Sequence, residues 1–261
     1  MKEDAIGIFD SGVGGITVLA EIKRKLPNEN IVYLGDTKNF PYGPKTKEEI
    51  IEYSIENIKQ LQKQNVKTIV IACGTATSQA LEEVKDKFAI PIIGIIQPTV
   101  KYVKEQKIKK IGVIATEGTI KNGAWERELK KEIPEIEVVN KACPMLATIA
   151  EEGRANSKEG RNVIREYMEP FKTQKIDKII LGCTHYPIYE QIIRDELGYE
   201  VELINTGKTV AKELKEMLEK QNLCNDKMKT KEKIILTKPE DEFKKIAENI
   251  MKTNMKIEKV I

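Results

Sequence analysis

The chain has 261 residues, with 44 Lys and Arg against 41 Asp and Glu, a formal charge of +3 interleaved along its length. That length builds one large domain or two small ones around a real core. The balanced charge excludes the single-sign stripe of a nucleic-acid or membrane surface.

Residues 6–9 form the first short β-branched run, and others follow at 31–34, 68–72, 90–96, 110–115, 137–141, 178–182, 201–205 and 234–237. Most are apolar on consecutive residues, the pattern of strands buried on both faces. Helical stripes lie between them: Leu19, Ile22 and Leu26; Ile51, Ile55, Ile58 and Leu61; Val210, Leu214 and Leu218; Phe243, Ile246 and Ile250. Strand alternating with helix predicts α/β architecture, parallel sheet covered by helices. No apolar run approaches the ~20 residues of a membrane span, and Met1-Lys2-Glu3-Asp4 begins no signal peptide. Four widely spaced cysteines make no disulfide scaffold, so a cytoplasmic protein with reduced thiols is expected.

About eight such units are enough for one barrel, but an internal repeat favours two open sheets. Residues 68–75 read TIVIACGT and residues 178–184 read KIILGCT, each a buried strand running into a Cys and a Thr. The midpoint is placed near Gln97-Pro98. Ligands of open parallel sheets bind beyond the carboxyl ends of strands, so the loops there carry the functional information.

The loop Asp10-Ser11-Gly12-Val13-Gly14-Gly15 follows the first strand. Its glycines free the amides of a helix N-terminus for an anion, or make a strand-to-helix turn capped by Ser or Asp. It has neither dinucleotide-binding nor P-loop spacing. The loop from Gly35 to Pro44, with Asp36, Phe40, Tyr42 and Gly43, is equally consistent with a binding loop and a structured turn. Cys73 and Cys183 both sit between a buried strand and a predicted helix, where helix amides are expected to lower a thiol pKa. Cys143 and Cys224 lack that context and read as buried hydrophobes. His185, the single histidine, stands two residues after Cys183.

Two thiols at pseudo-symmetric strand ends suit one particular chemistry. They can flank a planar carbanion, one removing a proton and the other returning one to the opposite face. The substrate is then a small carboxylate held by amides and hydroxyls, since only six of the cations are Arg. No zinc spacing and no lysine context for a Schiff base is present. A thiol redox protein using Cys73 and Cys183, and a binding protein without catalysis, are the alternatives from other classes.

At these residues the sequence closely resembles the glutamate racemases of the cofactor-independent aspartate/glutamate racemase superfamily. The matching stretches are residues 6–19, 33–37, 41–44, 71–83, 118–125, 141–153 and 181–188, in order over nearly the whole chain. The resemblance implies two similar parallel-sheet α/β subdomains related by pseudo-symmetry, with the active site in the cleft between them. One consists of residues 1–97 with 206–261, the other of 98–205. It implies interconversion of L- and D-glutamate for bacterial peptidoglycan without pyridoxal phosphate or metal. A homodimer with a small-molecule substrate, and with neither nucleic acid nor membrane as partner, is expected. Cys73 and Cys183 become the acid/base pair, Cys183 serving the L face and Cys73 the D face. Asp10, Ser11, Tyr42, Gly43, Gly74, Thr75, Thr184 and His185 become the substrate shell, with Thr116, Thr119 and Glu151 around it. Racemisation of another acidic amino acid, such as aspartate, is the nearest alternative. Three positions depart from the family pattern: Gly74 replaces a usual Asn, Trp125 a usual Tyr, and Asn205-Thr206 a usual Asp-Ser.

Overall fold

A computed structural model describes residues 1–227, 230–239 and 241–260, with side chains as far as Ile257. The first half of the chain runs β1 (Ala5–Asp10), α1 (Gly15–Lys25), β2 (Ile31–Gly35), α2 (Lys47–Gln62), β3 (Val66–Ile71), α3 (Gly74–Val84), β4 (Ile92–Gly94) and α4 (Ile96–Glu105). There follow β5 (Lys110–Ala115), α5 (Glu117–Asn122), α6 (Ala124–Glu132), β6 (Glu137–Ala142), α7 (Pro144–Glu151), α8 (Lys158–Thr173) and β7 (Lys178–Leu181). A short 3-10 turn, Tyr186–Tyr189, leads into α9 (Glu190–Leu197), β8 (Glu202–Asn205), α10 (Thr206–Lys220), β9 (Glu232–Leu236), α11 (Asp241–Met251) and β10 (Ile257–Val260).

The strands form two sheets, ordered β10-β9-β2-β1-β3-β4 and β6-β5-β7-β8. The strand pairings among the described residues are all parallel. The order 2-1-3-4 recurs as 6-5-7-8, so β3 and β7, the strands leading to Cys73 and Cys183, occupy equivalent places. This is the pseudo-symmetry expected from the repeated motif.

The consecutive apolar residues have a physical explanation in the layering. Ile6 and Ile8 of β1, with Ile111 and Val113 of β5, enter one central cluster shared with α1, α4, α6 and α10. Ala5 and Phe9 face a second cluster under α2 and α3, while Ile114 faces a third under α8 and α9. Each inner strand therefore buries both faces, one towards the shared middle and one towards its own outer helices.

Several expectations are corrected. The run 90–96 yields only a three-residue strand, because α4 already begins at Ile96. Pro98 lies in the first turn of that helix, where its missing N–H has no intrahelical acceptor to lose, so the boundary placed near Gln97-Pro98 falls inside a helix. The buried face of α2 carries Ile50, Ser54, Asn57, Ile58 and Leu61, with Ile51 and Ile55 only half-buried. Asn205 caps α10 by accepting from the Gly207 amide at 2.8 Å, so an uncharged residue suffices at that departure. Strand β10 was not foreseen.

Candidate active site

The carboxyl ends of β1, β3, β5 and β7 meet. Asp10 ends β1, is fully buried, and accepts from the Gly12 amide at 3.1 Å and from the Thr184 hydroxyl at 3.0 Å. The N-cap of α1 is Gly14 with no side-chain cap, so the expected Ser or Asp cap is not formed. Instead the loop is fixed by the Tyr33 hydroxyl, which donates to the Gly12 carbonyl at 2.5 Å, and by the Val13 amide, which donates to Glu151 Oε1 at 2.6 Å. Gly14 is needed for space: a Cβ there would lie 2.5 Å from His185 Nδ1 and 2.6 Å from Thr184 Oγ1.

Cys73 is the N-cap of α3, its Sγ 3.8 Å from the Ser11 hydroxyl. Cys183 follows β7, and its Sγ lies 3.6 Å from His185 Nδ1. His185 Nε2 is 2.7 Å from Glu151 Oε1, and the Phe40 ring lies 5.9 Å from the imidazole. Glu151 thus serves both the β1 loop and the histidine. The hydroxyls of Thr75 and Thr116 meet at 2.9 Å across the cleft, and Thr116 reaches Thr119 at 2.8 Å.

The electrostatics overturn one expectation. Burial pushes the Cys73 thiol well above its usual range, reinforced by the Asp10 and Cys183 charges, and the Ala76 amide of α3 only partly opposes it. Desolvation outweighs the helix terminus there. After Cys183 comes a four-residue 3-10 turn, so the α-helix expected directly behind it is not formed there. Burial also raises Asp10, from 3.8 to about 6, against the lowering effect of His185. Burial on its own would depress His185, but its hydrogen bonds with Cys183 and Glu151 prevail and hold it well above the usual histidine range. Cys143 does sit between β6 and α7, contrary to expectation, yet its Sγ turns to the Lys141 carbonyl at 3.7 Å within the outer core.

Between the two sheets lies a cavity of about 240 Å3, below the range of roughly 300–1,000 Å3 usual for drug-sized ligands. Ser11, Tyr42, Gly43, Cys73, Thr75, Cys183, Thr184 and His185 line it, with Thr116, Phe40 of the loop from Gly35 to Pro44, and the unforeseen Pro144 and Thr148. Both thiols open into this one space, from opposite sheets. No Lys or Arg lines it among the described residues. Asp10 stands behind Thr184, and Gly74 lies against the Gly182 carbonyl. Tyr42 lines the cavity, but its hydroxyl is engaged elsewhere, donating to Asp36 at 2.5 Å and accepting from Asn57 at 3.0 Å. Thr237, beyond β9, also donates to Asp36 at 2.8 Å. Among the described residues no group of three His, Cys, Asp or Glu side chains is placed to hold a metal ion, and no helix is long and apolar enough to cross a membrane.

Residues 14–214 match the family model described as Asp/Glu/hydantoin racemase. The chain belongs to the Asp/Glu/hydantoin racemase family. Within it, a glutamate racemase from Bacillus cereus is 40% identical over 234 residues, 89% of this chain and 87% of that one. A solved glutamate racemase isoform from Bacillus anthracis superposes on this racemase-family chain with a TM-score of 0.95 at 35% identity, covering 100% of this chain and 98% of the other. The glutamate racemase of Francisella tularensis, solved in complex with D-glutamate, gives 0.93 at 33% identity over 100% and 98% of the two chains.

Residue-level reading did not single out Tyr33, Asn57 or Thr237. A buried Asn among the Ile and Leu of an amphipathic helix is a readable signal for Asn57; Tyr33 and Thr237 give none, because their partners are distant in sequence.

Proposed function

We propose that this family member is a glutamate racemase, interconverting L- and D-glutamate by two-thiol acid/base chemistry and supplying D-glutamate for bacterial peptidoglycan. The observation that carries this reading is the opening of Cys73 and Cys183, from equivalent strands of opposite sheets, into one cavity of metabolite size. One sulfur, as thiolate, takes the α-proton and leaves a carbanion; the other, as thiol, gives a proton to the opposite face, so charge and protons balance. Burial keeps Cys73 protonated at rest, which suits it to donate when L-glutamate is the substrate. His185, within reach of Cys183, is positioned to exchange a proton with that sulfur.

The hydroxyls of Ser11, Thr75 and Thr184 and the main chain at Tyr42-Gly43 would hold the two carboxylates, with Asp10 orienting Thr184. Gly74 contributes no side chain to this shell. Residues 1–97 with 206–261 would act as one body and 98–205 as the other, a division supported by the sheet membership of their strands. A cytoplasmic homodimer is the accompanying expectation, and sedimentation at micromolar concentration tests the assembly.

The deciding experiment starts from L-glutamate in D2O without added cofactor. The first D-glutamate formed should carry deuterium at the α-carbon, and Cys73→Ser and Cys183→Ser should each lower racemisation by orders of magnitude. Retention of the original protium in early product means that a single base shuttles the proton, and the two-thiol reading fails. Turnover of aspartate, measured alongside, decides the substrate.

A further inference from the structure

The peptide that delivers Cys183 to the cavity is gripped from several sides. The Gly182 amide donates to the Ile114 carbonyl of β5 at 2.8 Å. In front of it stands Gly74, at the start of α3 in the other half of the molecule. A Cβ on Gly74 would lie 2.2 Å from the Gly182 carbonyl oxygen. Trp125 of α6, buried to 1% exposure, packs against the same residue: a Cβ on Gly182 would lie 2.8 Å from Trp125 Nε1. That indole nitrogen is buried without a hydrogen-bond partner among the described residues. Its place is therefore set by packing, and the large ring serves as a backstop.

Gly74 is not required for backbone freedom. The glycines with left-handed φ are Gly123, Gly153 and Gly198, so Gly74 adopts a conformation open to any residue. In the first turn of a helix a glycine is, if anything, less favourable than alanine. What it supplies is room. Gly74 adjoins Cys73 just as Gly182 adjoins Cys183, so the contact between them is also the spacer between the two thiol-bearing loops.

We propose that Gly74 and Trp125 are a matched pair of positioning residues that together set the place of the Gly182–Cys183 peptide and hence the separation of the two thiols. Trp125 holds the peptide forward, and only a residue without a side chain at 74 lets the opposite loop come up to meet it. A Cβ at 74 must part the loops by roughly 1 Å or more to reach ordinary contact distance. A misplacement of that size costs on the order of 10²-fold in turnover where two groups act on one atom. Reducing the bulk behind Gly182 gives the peptide somewhere to retreat, so the two positions are energetically coupled.

This inference rests on the racemase reading for its catalytic consequence but not for the coupling itself, so the test has two readouts. Steady-state racemisation of glutamate and thermal midpoints are measured for the wild type, Gly74→Ala, Trp125→Tyr and the double variant. Gly74→Ala should lower kcat by about ten- to a hundredfold with KM changed less than about threefold, and should lower the midpoint despite alanine's better helix propensity. Adding Trp125→Tyr to it should restore kcat at least about threefold and raise the midpoint, although Trp125→Tyr alone improves neither. Should Gly74→Ala not fold, recovery of folding in the double variant supports the pairing and continued failure overturns it. Wild-type turnover in Gly74→Ala, or losses that simply multiply in the double variant, would also overturn it. A wild type without glutamate turnover sinks the racemase reading alone, because the midpoints still report the coupling.

Discussion

Replacing Asp10 by Asn should make the protein more stable as the pH rises, relative to the wild type. Burial raises the Asp10 carboxyl from 3.8 to about 6, so the folded protein holds this proton more tightly than the unfolded chain. A carboxyl raised in this way contributes stability that is fully present below about pH 4 and lost as the pH climbs through about 6. A shift of about two units corresponds to about 3 kcal/mol in full, of which about 2 kcal/mol falls between pH 4 and pH 8. Asn keeps the shape and an oxygen for Thr184, loses one acceptor for the Gly12 amide, and does not titrate. The lost bond adds a constant offset, whereas the gap between variant and wild type should widen in favour of Asn across that window. Equilibrium urea denaturation at several pH values from 4 to 8 measures it. The same variant should lose the acid limb near pH 6 from its kcat/KM profile, if the Asp10 anion is needed to orient Thr184. A stability difference that stays flat with pH would show that Asp10 ionises as an ordinary carboxyl and that water reaches it.

Gly14→Ala should lower turnover by about tenfold or more, because its Cβ would press on His185 Nδ1 and Thr184 Oγ1; unchanged kinetics would show that the α1 loop yields freely. Tyr42→Phe takes one donor from Asp36 and one acceptor from Asn57, so it should raise KM severalfold with little change in kcat, and steady-state kinetics decide. Lys67, buried with Glu29 at 2.5 Å and donating to the Lys2 and Leu223 carbonyls, lies at the end of β3 away from the cavity. Lys67→Met should cost about 3–5 kcal/mol in urea denaturation by stranding a buried carboxylate, while the remaining folded enzyme keeps its kcat; a loss below about 1 kcal/mol would mean that Glu29 finds water.

The sequence determined the architecture because every inner strand buries both faces, so each reads as a continuous apolar run such as residues 6–9 or 110–115. Repetition did the same for the site. Cys73 and Cys183 were legible as equivalents because each ends a repeated strand, and the chemistry of paired thiols follows from that equivalence. Short-range rules failed where distant groups compete with them. The α-helix N-terminus beside Cys73 promised a lowered pKa, but burial contributed by both halves of the molecule reverses it. The buried face of α2 turned away from Ile51 and Ile55 because Asn57 reaches Tyr42 and Asp36, partners 15 and 21 residues away. In the sequence Gly74 stands only as a departure within the expected substrate shell. Only the folded chain shows it as a spacer, since the carbonyl it makes room for belongs to Gly182. Local propensity and periodicity act within a few residues and are written in the sequence. Desolvation and close approach depend on what the rest of the chain brings alongside, and only tertiary structure decides them.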